Sequence, residues 1–459
     1  MGTQRECIPW VAYGIDGPYA KWQVYCPITT FMNADSAPSE TQPAGRLAAL
    51  GYRDFRLFWT GLLISNTGTW MQMTATNWLL YQLTNSAVLL GLNGIFRAVP
   101  AIGLGIIGGT LADRYDRRKL MIFTQVVSGA LALALGLLDH SGHIEAWHIY
   151  MFTFLNAAVG SFDGPARQAL FPNLVPRSAL ANAVALNSLL WKGSALLGPF
   201  LAGIAINWIG TAGAFYANAA SYVIVIFAFL KMHVVSKGAG RSRSLLSETT
   251  AGFSYIVSRP VILGVMVMEA AASGFGLNHT MLTIFASDIL RVGAQGFGLL
   301  QTARGLGAVI GSSFYIGIGQ RPHQGRILFV SALLYGGAFA LFGISSSFAW
   351  SLLLMVTIGT TDTVWGASRG TILQMTTPDN FRGRVMGVFQ LSNRGLHPLG
   401  QVQSGLIIPL IGAPAATVLG GLVVSSISLL AAWKVPAIPR FRWDNPSTGG
   451  DGEKDAATR

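Results

Sequence analysis

The sequence predicts an all-α polytopic membrane protein whose twelve transmembrane helices form two pseudo-symmetric six-helix bundles. Three observations carry that prediction. The first is composition: of 459 residues, 51% are hydrophobic and 11% charged, with a mean hydropathy of +0.48. A soluble domain carries about 25% charged residues, so this chain is short of solvated surface. The second is the recurrence of apolar runs of ~20 residues, each long enough to cross a hydrocarbon core of ~30 Å. A β-barrel would need alternating segments of ~10 residues, and these runs do not alternate. The third is an internal repeat. Gly164, Arg167, Pro176, Gly193, Gly198, Gly203 and Gly210 recur, without gaps, as Gly366, Arg369, Pro378, Gly395, Gly400, Gly405 and Gly412. Earlier in each half, Gly91 and Arg97 recur as Gly298 and Arg304. The halves therefore read as parallel six-helix repeats.

The elements follow in order. Residues 1–48 are polar and rich in Pro, Ser and Gly, with no apolar core of a signal peptide. They read as a disordered tail, within which Met32 is the expected start of translation. A basic lead-in from Arg46 to Arg56 is expected on the membrane surface. The first bundle, 49–232, has spans at 55–81, 87–112, 119–138, 147–170, 179–208 and 212–232. A linker, 233–258, carries Lys237, Arg241 and Arg243. The second bundle, 259–435, has spans at 260–287, 295–319, 326–343, 349–375, 384–410 and 413–434. Residues 436–459 read as a polar, disordered tail.

Charge orients this topology. Between the second and third spans, the stretch Asp113-Arg114-Tyr115-Asp116-Arg117-Arg118-Lys119 is charged at every position but one. It must be a loop outside the bilayer, and short basic loops mark the cytoplasmic side. The loops on the other side hold one basic residue, Arg291. Both termini are therefore expected in the cytoplasm. The net charge of +12 is explained by these loops and tails and does not require a nucleic-acid partner. Cys7 and Cys26, both in the N-terminal tail, supply neither a disulfide framework nor a metal-type cluster.

The loop beginning at Gly109 resembles the signature between helices 2 and 3 of the major facilitator superfamily, G-x-x-x-D-R-x-G-R-R. Gly109, Asp113, Arg114, Arg117 and Arg118 match, and Asp116 stands where the pattern has Gly. In the second half the loop is eroded, with Gln320 corresponding to Asp113 and Arg326 to Lys119. In the fifth span, Gly198, Pro199 and Gly203 resemble the glycine–proline motif of drug and metabolite exporters. Glycine lets helices approach closely, and proline removes a backbone hydrogen bond and bends the helix; ordinary small-residue packing is the competing reading. With Thr377-Pro378-Asp379-Asn380-Phe381-Arg382-Gly383-Arg384, the pattern is most similar to the branch that includes enterobactin-type siderophore exporters and macrolide efflux proteins.

The resemblance implies a secondary active transporter working by alternating access. The expected cargo is a small amphiphilic molecule, siderophore-like or drug-like. The alternatives are an uptake permease or uniporter on the same fold, and a non-transporting membrane sensor or scaffold. By resemblance, Asp113, Arg117, Arg167 and Arg369 would form an inner gate network. A monomer in the lipid bilayer, with no cofactor, is expected.

The intramembrane charges give the sharpest reading taken from the residues themselves. An ionisable group in a span costs about 2.5–3.5 kcal/mol on insertion scales, so it faces a partner or a wet cavity. Arg97, Lys192, Arg304 and Arg394 lie deep in their spans as two repeat-related pairs. Together they suggest an anionic cargo, against the alternative that each is neutralised by the protein. Glu269 and then Asp362 are the candidates for carrying the coupling proton. The competing reading for them is a static ion pair, such as Glu269 with Arg304. Asp163 and Arg167, one turn apart, read as a structural pair. Trp365 and Phe389 could stack on an aromatic cargo. His279 and His397 could join a proton path, though packing histidines are commoner.

Several matches carry no chemistry. Gly103-Leu-Gly105-Ile-Ile-Gly108 fits a dinucleotide-binding pattern but lies in a spanning helix with no strand before it. No G-x-x-x-x-G-K-[ST] loop is present. Asp139, His140, His143 and Glu145 read as a solvated loop rather than a metal site. No nucleophile–base pair points to an enzyme.

Overall fold

The computed structural model describes residues 47–105, 115–233, 245–318 and 322–442. Within them the helices alternate in direction through two sets of six. The first set is α1 (Arg53–Thr84), α2 (Ala87–Gly103), α3 (Arg117–His140), α4 (Ala146–Leu170), α5 (180–209) and α6 (211–230). The second set is α7 (Pro260–Phe275, continued by His279–Ile284 and a π-helical turn, Phe285–Ile289), α8 (Gly293–Ile318), α9 (Gln324–Gly343), α10 (Phe348–Thr376), α11 (Asp379–Ile411) and α12 (Ala413–Lys434). The end where α1 begins and α12 stops is called basal here, and the opposite end distal.

Local chemistry sets the breaks. Gly210 and Gly412, repeat-related in sequence, both have positive φ (73° and 82°) and turn α5 into α6 and α11 into α12. That region is costly for residues with a Cβ. Asp116, the departure from the signature pattern, caps α3: its side chain accepts from the amides of Arg118 (2.9 Å) and Lys119 (3.2 Å). Its backbone is extended, so this position needs no glycine. Arg118 caps the end of α6 in turn, donating to the carbonyls of Phe229 (2.7 Å) and Leu230 (2.6 Å).

Two expectations need correction, the unbroken seventh span and the wholly disordered C-terminal tail. The seventh span is not continuous. It breaks at Gly276, and Asn278 restarts it by accepting from the Met281 amide (3.1 Å). At the break the Leu277 amide donates to the Tyr335 hydroxyl, and the Asn278 side chain donates to Ser404 and the Gly400 carbonyl. Non-helical backbone at membrane depth persists only when satisfied in this way. The linker contains a helix, Leu245–Ser258. The C-terminal tail begins docked, with Ile438 and Phe441 buried and the Gly325 amide donating to the Phe441 carbonyl. The outer-loop acids act locally: Asp139 accepts from Thr211 (2.5 Å) and Glu145 caps α4.

By length and apolar composition alone, Arg117–His140, Arg177–Leu230, Pro260–Ile289, Gln324–Gly343 and Ala413–Lys434 can each cross a membrane. The helices outside that set (α1, α2, α4, α8, α10 and α11) carry amides, hydroxyls and charges on their inward faces. Polar side chains tolerated in a membrane face the protein interior.

The halves are sealed against each other distally by two crossings. A Cβ on Gly91 of α2 would lie 2.9 Å from the Gly405 Cα of α11, and one on Gly298 of α8 would lie 3.0 Å from the Gly203 Cα of α5. The internal repeat exchanges these two crossings. Tyr81 donates to Asp288 (2.5 Å), Trp78 stacks on Phe297 and Gln301 donates to Thr74 (3.3 Å), all between α1 and the second half. Among the described residues, α4 makes no comparable contact with α10 or α11 near the basal end.

Candidate functional site

Below the distal seal, a cavity of about 580 Å³ opens between the halves. Its charged wall belongs to the second half: Glu269 and His279 from α7, Arg304 from α8, Asp362 from α10 and His397 from α11. The first half contributes Arg97 from α2, with Trp70 and Met73 from α1. Arg97, Met73 and Gln401 also border a second chamber of about 270 Å³ within the first half.

The cations are held unequally. Arg304 pairs with Asp362 at 3.2 Å, with the carboxylate side chain 47% exposed. Arg97 makes no ion pair among the described residues; its guanidinium donates to the Met73 sulfur at 3.0 Å. A thioether is a weak acceptor, so its charge is left almost uncompensated. Lys192 donates to the Ser312 hydroxyl of α8 and sits one turn basal of Ala195, which is on the cavity wall. The Arg394 side chain lies outside the described residues, although His397, one turn on, lines the cavity. The structure therefore brings Arg97 and Arg304 to one cavity and places Lys192 at its basal edge.

Both candidate proton carriers line the cavity, and each is paired. Glu269 bonds Arg369, not Arg304, and accepts weakly from Ser273 (3.4 Å). Arg369 lies 4.8 Å over the Phe389 ring. Its repeat counterpart Arg167 bonds Asp163 on its own helix and lies 5.3 Å over Trp191. Asp163 also accepts from Thr124 (3.1 Å) and Gln125 (3.0 Å) of α3. Arg117 donates to the Ala169 carbonyl near the basal end of α4. Among the described residues, Arg167 and Arg369 occupy two separate sites, one per half. Gly109, Asp113 and Arg114 lie outside the described residues.

The aromatic expectation is corrected as well. Trp365 is 1% exposed and meets Tyr335 edge-on, while Phe389 sits beneath Arg369. Both rings serve packing, which leaves them no free face for a cargo in this conformation. The α5 motif divides its work: a Cβ on Gly198 would strike Trp70 of α1, and Gly203 meets α8.

Sequence reasoning passed over the amides. Gln72, Asn77, Asn93, Asn156 and Asn218 line the second chamber, and Gln301 and Gln401 the larger cavity. The same desolvation argument that singled out the charges applies to an intramembrane amide, and applying it would have found them.

Known proteins match this chain in sequence and in fold. The family model for a transmembrane secretion effector matches residues 44–447. The staphyloferrin A transporter of Staphylococcus aureus is 22% identical, over 78% of this chain and 90% of its own length. The enterobactin exporter of Escherichia coli O157:H7 is 24% identical, over 90% of this chain and 97% of its own. Among solved structures, a POT family transporter in complex with a thioalcohol-conjugated peptide superposes with a TM-score of 0.67 at 13% identity, covering 83% of this chain and 96% of its own. The nucleoside transporter NupG superposes with a TM-score of 0.64 at 13% identity, covering 86% of this chain and all of its own. At such identity the structures speak for the fold alone.

Proposed function

Because this chain belongs to the transmembrane secretion effector family of major facilitator transporters, we propose that it exports a small amphiphilic anion, driven by proton entry. The observation that carries the reading is Arg97: a cation in a cavity between two halves, facing a sulfur where a carboxylate would be expected. Arg97 is exposed to the cavity and has no carboxylate partner among the described residues, so an anionic cargo entering there meets an unpaired cation. Arg304 is the second anchor, because its half-exposed Asp362 can give way to a competing anion. The relatives named for staphyloferrin A and enterobactin support a siderophore-like cargo.

The basal loops are basic, so we place the basal end in the cytoplasm of a cell-membrane protein. The conformation is then inward-facing, sealed outside at the crossings Gly91–Gly405 and Gly203–Gly298. Glu269 carries the coupling proton. Its bond to Arg369 exists only with the carboxylate charged, so protonation removes a contact of the sealed state. Cargo and proton drive the cycle only through such differences between states. Gly198, Pro199, Arg117, Arg118, Arg167 and Arg369 serve the rearrangement of the gates, together with Gly109, Asp113 and Arg114.

The test compares metabolites inside and outside cells lacking the gene, rescued by the wild type or by Arg97→Ala. The reading expects an anionic compound that builds up inside the deletion strain and is released only by the wild type. A compound left unconsumed in the medium would instead identify an uptake permease.

A further inference from the structure

Two imidazoles of the larger cavity stand outside its ion pairs. His279 opens the segment of α7 that restarts after the break, and His397 lies on α11. Asn278 clamps these two helices together: its side chain donates to Ser404 (2.6 Å) and to the Gly400 carbonyl (3.3 Å), and accepts from the Met281 amide (3.1 Å). A Cβ on Gly400 would run into the Ser273 carbonyl, so the helices meet backbone to backbone. His279 is the residue after the clamp. His397 lies three residues before Gly400, about 4.5 Å along the axis of α11. The break in α7 thus brings both rings to one stretch of cavity wall.

Neither is a packing histidine. His397 is exposed, His279 is half-buried, and both border the cavity. Among the described residues neither ring makes a hydrogen bond, and the His279 nitrogens are not enclosed. The charges of Arg97 and Arg304 act on both rings. A neutral imidazole offers one N–H donor and one acceptor nitrogen. A hydroxyl donates and accepts, so it is matched by either tautomer of either ring. An ether only accepts, and a C–H group does neither. Resting on the anionic-cargo reading above, we propose that His279 and His397 are specificity-determining residues, selecting anions that carry a hydroxyl beside the charged group. Arg97 takes the charge, and the imidazoles read the hydroxyl.

Three achiral carboxylates test this: diphenylacetate, its α-hydroxy derivative and its α-methoxy derivative, titrated calorimetrically into the full-length protein in lipid nanodiscs. The hydroxy acid is expected to bind about tenfold tighter than diphenylacetate, with the methoxy acid between them. The readout in each variant is the ratio of hydroxy to unsubstituted affinity. His279→Leu combined with His397→Leu should bring that ratio close to one. His279→Gln combined with His397→Gln restores a donor and an acceptor at each position and should keep most of it. Wild-type protein that binds all three acids equally overturns the histidine assignment alone. So does a leucine variant that keeps the full ratio, or a glutamine variant that loses it as completely as leucine does. Failure of every acid to bind the wild type overturns the anionic-cargo reading and the assignment with it.

Discussion

The two halves carry the same arginine at the same repeat position, Arg167 on α4 and Arg369 on α10, and hold it differently. Arg167 finds its carboxylate on its own helix, and Asp163 is also bonded by Thr124 and Gln125 of α3. Arg369 finds its carboxylate on another helix, α7, where Glu269 has only a weak contact from Ser273 besides. The first arrangement is internal to one rigid element and its neighbour. The second ties α10 to the helix that breaks at Gly276. Similar parts thus make a fixed brace in one half and a releasable tie in the other. The larger cavity repeats the asymmetry: Glu269, His279, Arg304, Asp362 and His397 come from the second half and only Arg97 among its ionisable lining residues from the first.

The largest effect should come from removing an arginine. Arg369→Ala leaves Glu269 buried without a partner, a class of change that costs about 3–5 kcal/mol. Arg167→Ala leaves Asp163 its bonds to Thr124 and Gln125 and should cost less. Thermal unfolding in detergent checks the order; equal losses would erase the distinction between brace and tie. Next come the cavity cations. Arg97→Ala should weaken cargo binding by roughly ten- to a hundredfold, the worth of about 1.5–3 kcal/mol in a charge-assisted bond. Lys192→Ala, outside the cavity wall, should change it less.

The distal crossings follow. Gly405→Leu and Gly203→Leu place bulk where a Cβ would already lie 2.7 Å from the Ala87 carbonyl or 3.2 Å from the Gln295 carbonyl. Both should hold the seal open and expose a cysteine at Thr74 to an impermeant maleimide added outside. A response from one variant only would show that the crossings are not equivalent. The smallest effect is expected from Tyr81→Phe, which deletes one hydrogen bond to Asp288 and leaves both glycine crossings in place. The same labelling assay should show a modest rise.

Much of this was legible beforehand because membrane insertion constrains sequence so strongly. Span positions follow from apolar length, and the repeat located Gly210 with Gly412 and Arg97 with Arg304 before any coordinates. The break in α7 was not legible. Its apolar run continues through Gly276, and only Tyr335, Ser404 and Gly400, distant in sequence, make an unwound backbone tolerable there. Pairing was equally hidden: Glu269 could reach Arg304 or Arg369, and helix rotation decides between them. The motif is silent on Asp116, which stands where it calls for glycine, although an Asp before a helix is a strong cap in its own right.

The central claim is that Glu269, and not Asp163, is the protonated switch. Spin labels at Val88 on α2 and Leu406 on α11, with Cys7 and Cys26 changed to Ser, would report the distal separation by pulsed electron resonance in acid and in alkaline buffer. Acid should lengthen the distance in the wild type and in Asp163→Asn, because protonation removes the Arg369 tie. Glu269→Gln should show one distribution at both conditions. A Glu269→Gln protein that still opens in acid as the wild type does would contradict the account.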